Sequence, residues 1–194
     1  MQQKKWLAGC GLVLALLLGG CDESEQAAQQ PPMQNSTTPY LITGTSAGPV
    51  QLGMNMNEVL IALPEATSDN SPDGEGINWV GIKMHDETIM SLLLDESDHT
   101  VSLIRVFSPE FATEQGVRVG ENLQSVVEKL NGLNEIQSTE IESREFATFR
   151  NSPQSVEFQV VGGDGTAGVY SNNETITTIA SPSATIHSIW IVED

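Results

Sequence analysis

Residues 50–63 and 117–130 of this chain repeat one another, and no other feature limits the fold as tightly. At an offset of 67, Val50 aligns with Val117, Leu52 with Val119, Gly53 with Gly120, Asn55 with Asn122, Met56 with Leu123, Val59 with Val126, Leu60 with Val127 and Leu63 with Leu130. Met56, Val59, Leu60 and Leu63 fall at i, i+3, i+4 and i+7, as do their counterparts, so each copy predicts a short helix with one apolar face. Gly53 and Gly120 let an extended stretch turn into each helix. Asn55 is placed to cap the first helix, with Glu58 reaching back and Met54 stapling onto Val59, and Pro64 ends it. Asn122 caps the second, and Asn131-Gly132 closes it.

Strand-like runs follow each helix: 77–84, 88–94 and 100–108 in the first copy, and 144–149, 155–161 and 185–192 in the second. The last strands align at an offset of 85, pairing Val101 with Ile186, Ile104 with Ile189 and Val106 with Ile191. The growth from 67 to 85 leaves 18 extra residues in the second copy, between Val161 and Thr185. A short repeat cannot close a core alone, so the copies must join. The expected fold is α+β: two tandem helix-plus-three-strand repeats, about 49–108 and 115–194, forming one antiparallel sheet with two short helices on one face. The insertion, about 162–184, lies in the second repeat.

The N-terminus carries an address. Lys4 and Lys5, an apolar run from Trp6 to Leu18 and small residues before a cysteine make a secretory signal over residues 1–20. The run is short for a membrane span. Leu18-Gly19-Gly20-Cys21 resembles a bacterial lipobox, which implies lipidation of Cys21 after cleavage; an ordinary signal peptide with an incidental cysteine and an uncleaved anchor are the competing readings. Two or three acyl chains make such an anchor effectively permanent, because one chain binds a bilayer only reversibly. Cleavage also removes Cys10, leaving no disulfide and no cysteine nucleophile. From 21 to 48 the chain is rich in Gln, Ala, Pro, Ser and Thr and reads as a flexible lipidated tether, with Tyr40, Leu41 and Ile42 placed to dock as a first strand. The single folded domain is expected over 49–194.

With 8 Lys+Arg against 26 Asp+Glu the chain has a net charge of −18, and loss of Lys4 and Lys5 would take it to −20. Such a surface repels phosphate, so nucleic acid is excluded as a partner and cationic, metallic or protein partners are favoured.

Val101, Ile104 and Val106, followed by Gly116, Val117, Arg118, Val119 and Gly120 and the second helix, resemble the small sigma-E-regulated envelope lipoproteins of the YfeY type. In that type an Ile-x-x-Ile-x-Val strand leads into a Gly-Val-Lys-Ile-Gly turn and a helix. The total length, the lipid signal, a helix ending Ala62-Leu63 and the closing Ile189-Trp190 agree as well. The chain departs in lacking cysteines in its second half and in its longer tether. The resemblance implies a periplasm-facing lipoprotein linked to envelope stress, and it supplies no catalytic residue. Gly53, Met54, Glu58 and Val59 also resemble the helix start of the small lipoprotein subunit of the outer-membrane barrel-assembly machine, a non-enzymatic scaffold. In enterobacterial lipoproteins an acidic pair such as Asp22-Glu23 resembles an inner-membrane retention signal; the outer membrane is the other address.

Chemistry-bearing patterns are few. Asp69, Ser71 and Asp73 before Gly74 imitate the first half of a calcium loop, but Val80 stands where a bidentate carboxylate belongs, so a solvated acidic turn is expected there. His85-Asp86-Glu87 sits at a hairpin tip, where consecutive side chains diverge, and His99 and His187 are isolated. Gly162-Gly163-Asp164-Gly165 with Gly168 lacks the Lys-Ser/Thr of a phosphate loop, and Asp164 would repel a phosphate. Trp79, Trp190 and Phe107 read as core residues. The sequence therefore predicts no enzyme and no cofactor. It predicts a membrane-anchored periplasmic lipoprotein acting as a non-catalytic binding or accessory module on an envelope protein, through the sheet or the 162–184 insertion. A small-ligand or divalent-cation sensor is the alternative.

Overall fold

The computed structural model describes residues 40–72, 77–140, 143–153, 155–163 and 165–193, without the side chains of Ser71 and Pro72. All lie in the compact unit Thr37–Asp194. After β1 (Tyr40–Ile42), β2 (Ser46–Ala47) and β3 (Val50–Gln51), helix α1 (Met56–Ala62) leads into an antiparallel meander of β4 (Thr67–Pro72), β5 (Asn78–Met84), β6 (Glu87–Leu94) and β7 (Val101–Val106). A short strand β8 (Phe111–Thr113) precedes helix α2 (Leu123–Lys129), which leads into β9 (Leu133–Ser138), β10 (Glu145–Phe149) and β11 (Val156–Val161). A long loop carrying β12 (Ile176–Thr177) then returns the chain to β13 (Thr185–Val192).

β7 and β13 pair antiparallel at the centre, giving a nine-stranded sheet in the order β12-β9-β10-β11-β13-β7-β6-β5-β4. The remaining strands form a second sheet, β3-β2-β1-β8, in which β1 runs parallel to β8. The single sheet and the two tandem repeats of one helix plus three strands are thus corrected: the strands form two sheets and do not divide into two sets of three. Among the strands missing from the expectation, β4 and β9 follow the helices directly and read TSDNSP and LNEIQS, with too few apolar residues to alternate visibly. Pairing with β5 and β10 orders them instead. Strand β1 is the Tyr40–Ile42 entry strand expected at the end of the 21–48 stretch, docked parallel to β8, and β2 falls inside that stretch as well because β1 supplies it with a partner that polar composition alone does not reveal.

The helix ends follow their sequence signals. The Asn55 side chain accepts from the backbone N–H groups of Asn57 and Glu58 while Glu58 accepts from the Asn55 N–H, a complete capping box. Asn122 accepts from Gln124 N–H. Gly53 and Gly120 take φ of +83° and +81°, a region costly for any residue with a Cβ. The same hydrogen bonds then tie each helix start to a strand: Gly53 N–H to Val101 O and Gly120 N–H to Ile186 O, each 2.8 Å, and Val101 N–H to Met54 O beside Ile186 N–H to Glu121 O.

One face of the nine-stranded sheet carries the core. Ile82, Met90, Val106 and Ile189 are buried register neighbours across four strands, as are Leu92, Ile104 and Ile191 across three. Val59 of α1, Leu63 at its C-cap, and Leu123, Val126 and Leu130 of the α2 region join that cluster. Burial of each such side chain contributes roughly 1.5–3 kcal/mol before entropy is subtracted.

Candidate functional site

Period-two alternation puts a different set of residues on the sheet's other face. Gly81, Ser91, Arg105, Trp190 and Glu157 form one cross-strand row from β5 to β11. Trp79 and Trp190 are buried on this face, apart from the main core cluster. Their ring centroids are 5.8 Å apart, although three strand spacings would separate their backbones by about 14 Å in a flat sheet. The rings therefore reach toward each other across β6 and β7. Phe146 meets Trp190 edge-on from the opposite side at 5.3 Å, and the guanidinium carbons of Arg105 and Arg144 stand 4.9 and 5.7 Å from the Trp190 ring.

A polar network sits beneath these rings. Trp190 Nε1 donates to Ser188 Oγ at 2.7 Å, the Ser188 hydroxyl donates to Gln159 Oε1 at 2.8 Å, and Arg105 Nη2 donates to the same oxygen at 2.9 Å. Ser188 and Gln159 are buried, so these bonds offset a desolvation cost that would otherwise be large. Arg105 is thereby fixed in place. His187 lies beside Phe107, and its imidazole is held below the usual histidine range by burial first and by the Arg105 charge second.

Beyond Phe146 a groove of about 450 Å³ opens among β9, β10, β11 and the turn after β10. Gln137, Phe146, Thr148, Ser152, Pro153 and Glu157 line it, and no Lys or Arg does. Two of its polar groups have no hydrogen-bond or ionic partner among the described residues. Ser152 Oγ is buried without a hydrogen bond. Glu157 keeps much of its side chain open to solvent, yet desolvation raises its carboxyl above the ordinary value. Phe146 belongs to both groove and aromatic layer, so the two are continuous.

Glu145 is buried on the opposite, core-facing side, register partner of Val160. Its carboxylate accepts from Ala167 N–H at 2.6 Å, Gly168 N–H at 2.8 Å and Tyr170 OH at 2.7 Å. The loop that looked superficially like a phosphate cradle thus places backbone donors around an anion, and the anion is the protein's own. Burial raises the Tyr170 phenol far above its usual value, and its hydrogen bond to Glu145 adds to the rise. Gly168 has no room for a side chain here: a Cβ would come within 2.6 Å of the Tyr170 ring.

No protein family matches the sequence, and no curated protein matches it either. The crystal structure of the uncharacterized protein YfeY from Escherichia coli does match, with a TM-score of 0.55 and 14% identity over 80% of this chain and 100% of that one. The fold resembles that of YfeY. At this identity the likeness speaks for the fold alone, and YfeY brings no site residue with it.

The residues singled out from sequence fall elsewhere. Asp69 stands on strand β4 rather than in a turn and pairs with Lys83. An extended strand cannot wrap a cation as a loop does, and Asp73, the Ser71 side chain and Cys21 lie outside the described residues. His85 and Asp86, with φ of +52° and +66°, form the two-residue turn of the β5–β6 hairpin and are exposed. Among the described residues no three His, Cys, Asp or Glu side chains gather. Of the three aromatics expected in the core, Trp79 and Trp190 are buried, on the face that alternation along β5 and β13 turns away from the main cluster, whereas Phe107 is only half-buried. Sequence reasoning passed over Glu145, Phe146, Ser152 and Glu157. A signal for Glu145 was present: in Glu145-Phe-Ala-Thr-Phe149 it shares the phase of Ala147 and Phe149, so it points inward with them.

Proposed function

We propose that this chain is a lipid-anchored periplasmic lipoprotein whose folded unit serves as a non-catalytic binding or accessory module in the cell envelope, with a link to envelope stress. The observation that carries the reading is the groove beside Phe146, where the buried Ser152 Oγ has no hydrogen-bond partner among the described residues and the Glu157 carboxyl is partly desolvated. Such groups cost stability unless something satisfies them, which fits a surface kept for recognition. Among the described residues Ser152 Oγ has no base within hydrogen-bond reach, which favours binding over nucleophilic chemistry. Leu18-Gly19-Gly20-Cys21 supports the anchor at Cys21, and Asp22-Glu23 supports the inner membrane over the outer.

The test joins anchor and surface. Incorporation of a fatty-acid analogue by the natural chain, and its loss in Cys21→Ala, establishes lipidation. A photo-crosslinker at Thr148 in native envelopes should then yield one defined adduct, absent with the crosslinker at Asn173 on the distal loop. An unlabelled chain removes the anchor, and identical adduct patterns from both positions remove the groove as a recognition surface.

A further inference from the structure

We infer that the groove among β9, β10 and β11 receives the ammonium of a lysine side chain from a partner protein, with the Glu157 carboxylate as its counter-ion and Phe146 as its aromatic wall. This rests on the binding-module reading and narrows it to one ligand chemistry. Charge decides the sign of the ligand. Glu157 has no cationic partner among the described residues, and no Lys or Arg lines the groove. The nearby guanidinium of Arg105 is committed to Gln159 and Ser188, and those of Arg105 and Arg144 both lie over Trp190. The −18 charge of the whole chain adds a field that draws cations in.

Hydrogen bonding decides the group. An ammonium carries three donors and no acceptor, and the groove offers acceptors: the Glu157 carboxylate, the unpartnered Ser152 Oγ and the amide oxygen of Gln137. The Phe146 ring adds the cation–π attraction that favours a desolvated cation over a neutral donor. A volume of about 450 Å³ holds a small appended group rather than a folded element. An ethanolamine lipid headgroup carries the same ammonium, but its phosphodiester would find no cation in the groove and a carboxylate beside it.

The experiment titrates the full chain in detergent micelles with Nα-acetyl-lysine amide, followed by ¹⁵N NMR. The expected result is saturable shifts confined to the 137, 146–152 and 157 region, persisting at high salt, and at least tenfold weaker binding in Glu157→Gln. Phe146→Leu should weaken binding about fivefold, which keeps the idea testable if one variant folds poorly. Acidification that protonates Glu157 should also release the probe. Equal binding of the Nε-acetylated probe, an unchanged affinity in Glu157→Gln, or shifts that spread over the surface and vanish with salt would each overturn the inference. Preference for phosphatidylethanolamine vesicles over the lysine probe would overturn it in favour of a lipid headgroup. If the Thr148 adduct persists while the lysine probe fails, the binding module stands and the ammonium site falls; loss of both ends both.

Discussion

The two halves of the nine-stranded sheet share a frame and differ in what they leave unsatisfied. On the outer face of the first half, Gly81 and Ser91 are neighbours in one row, and the carboxylate of Asp69, register partner of Gly81, is paired with Lys83. In the second half Glu157 faces Trp190 as Ser91 faces Arg105, and among the described residues no cation pairs with it. Trp79 and Phe146, 67 residues apart, approach Trp190 from its two sides. The difference is one of pairing: Asp69 has Lys83 beside it, whereas Glu157 has no cationic partner among the described residues.

The sharpest way to break this contrast is Glu145→Ala. It strands two buried backbone N–H groups and the Tyr170 hydroxyl, and should cost about 3–5 kcal/mol in chemical denaturation. Asn78→Ala, 67 residues earlier and exposed, should stay within about 0.5 kcal/mol. Equal costs would mean that the Glu145 bonds do not hold the second half's long loop. Gly168→Ala comes next, at about 1–3 kcal/mol, since its Cβ meets a tyrosine ring tied to Glu145. Gly81→Ala meets only Asp69 Oδ1, the mobile end of an exposed side chain, and should cost less than about 1 kcal/mol. Lys83→Ala should fall within about 1 kcal/mol, as exposed ion pairs do.

The smallest effect has a distinctive pH dependence. Desolvation raises the folded-state pKa of Glu157, so its contribution to stability is present below the unfolded value of 4.5 and is lost as pH rises through the folded value. Glu157→Gln should therefore raise the thermal midpoint slightly at about pH 7 and leave it unchanged at about pH 3.5. A variant less stable than the natural chain at neutral pH would show that Glu157 already has a partner in the folded protein.

Local signals in the sequence reached the helices, their caps and the apolar strands, because periodicity and capping act within a few residues. Met56 to Leu63 and Leu123 to Leu130 announce their faces without help from the rest of the chain. Strands β4 and β9 were hidden, since Thr67–Pro72 and Leu133–Ser138 gain their conformation from partners across the sheet rather than from their own residues. The parallel pairing of β1 with β8 joins segments about 70 residues apart and leaves no local mark. The candidate site was harder still. Phe146 and Glu157 look like ordinary members of alternating strands until three strands and a turn bring them to one groove with Ser152.

The pairing of β1 with β8 also sets a path for mechanical load. Tension reaching Tyr40 from the N-terminal side falls first on three register pairs, Tyr40 with Phe111, Leu41 with Ala112 and Ile42 with Thr113. Strand β8 lies in the segment that joins the two halves, outside the nine-stranded sheet. A pull on the chain is therefore shared between that joint and the antiparallel pairing of β1 with β2, both outside the nine-stranded sheet whose strands frame the groove.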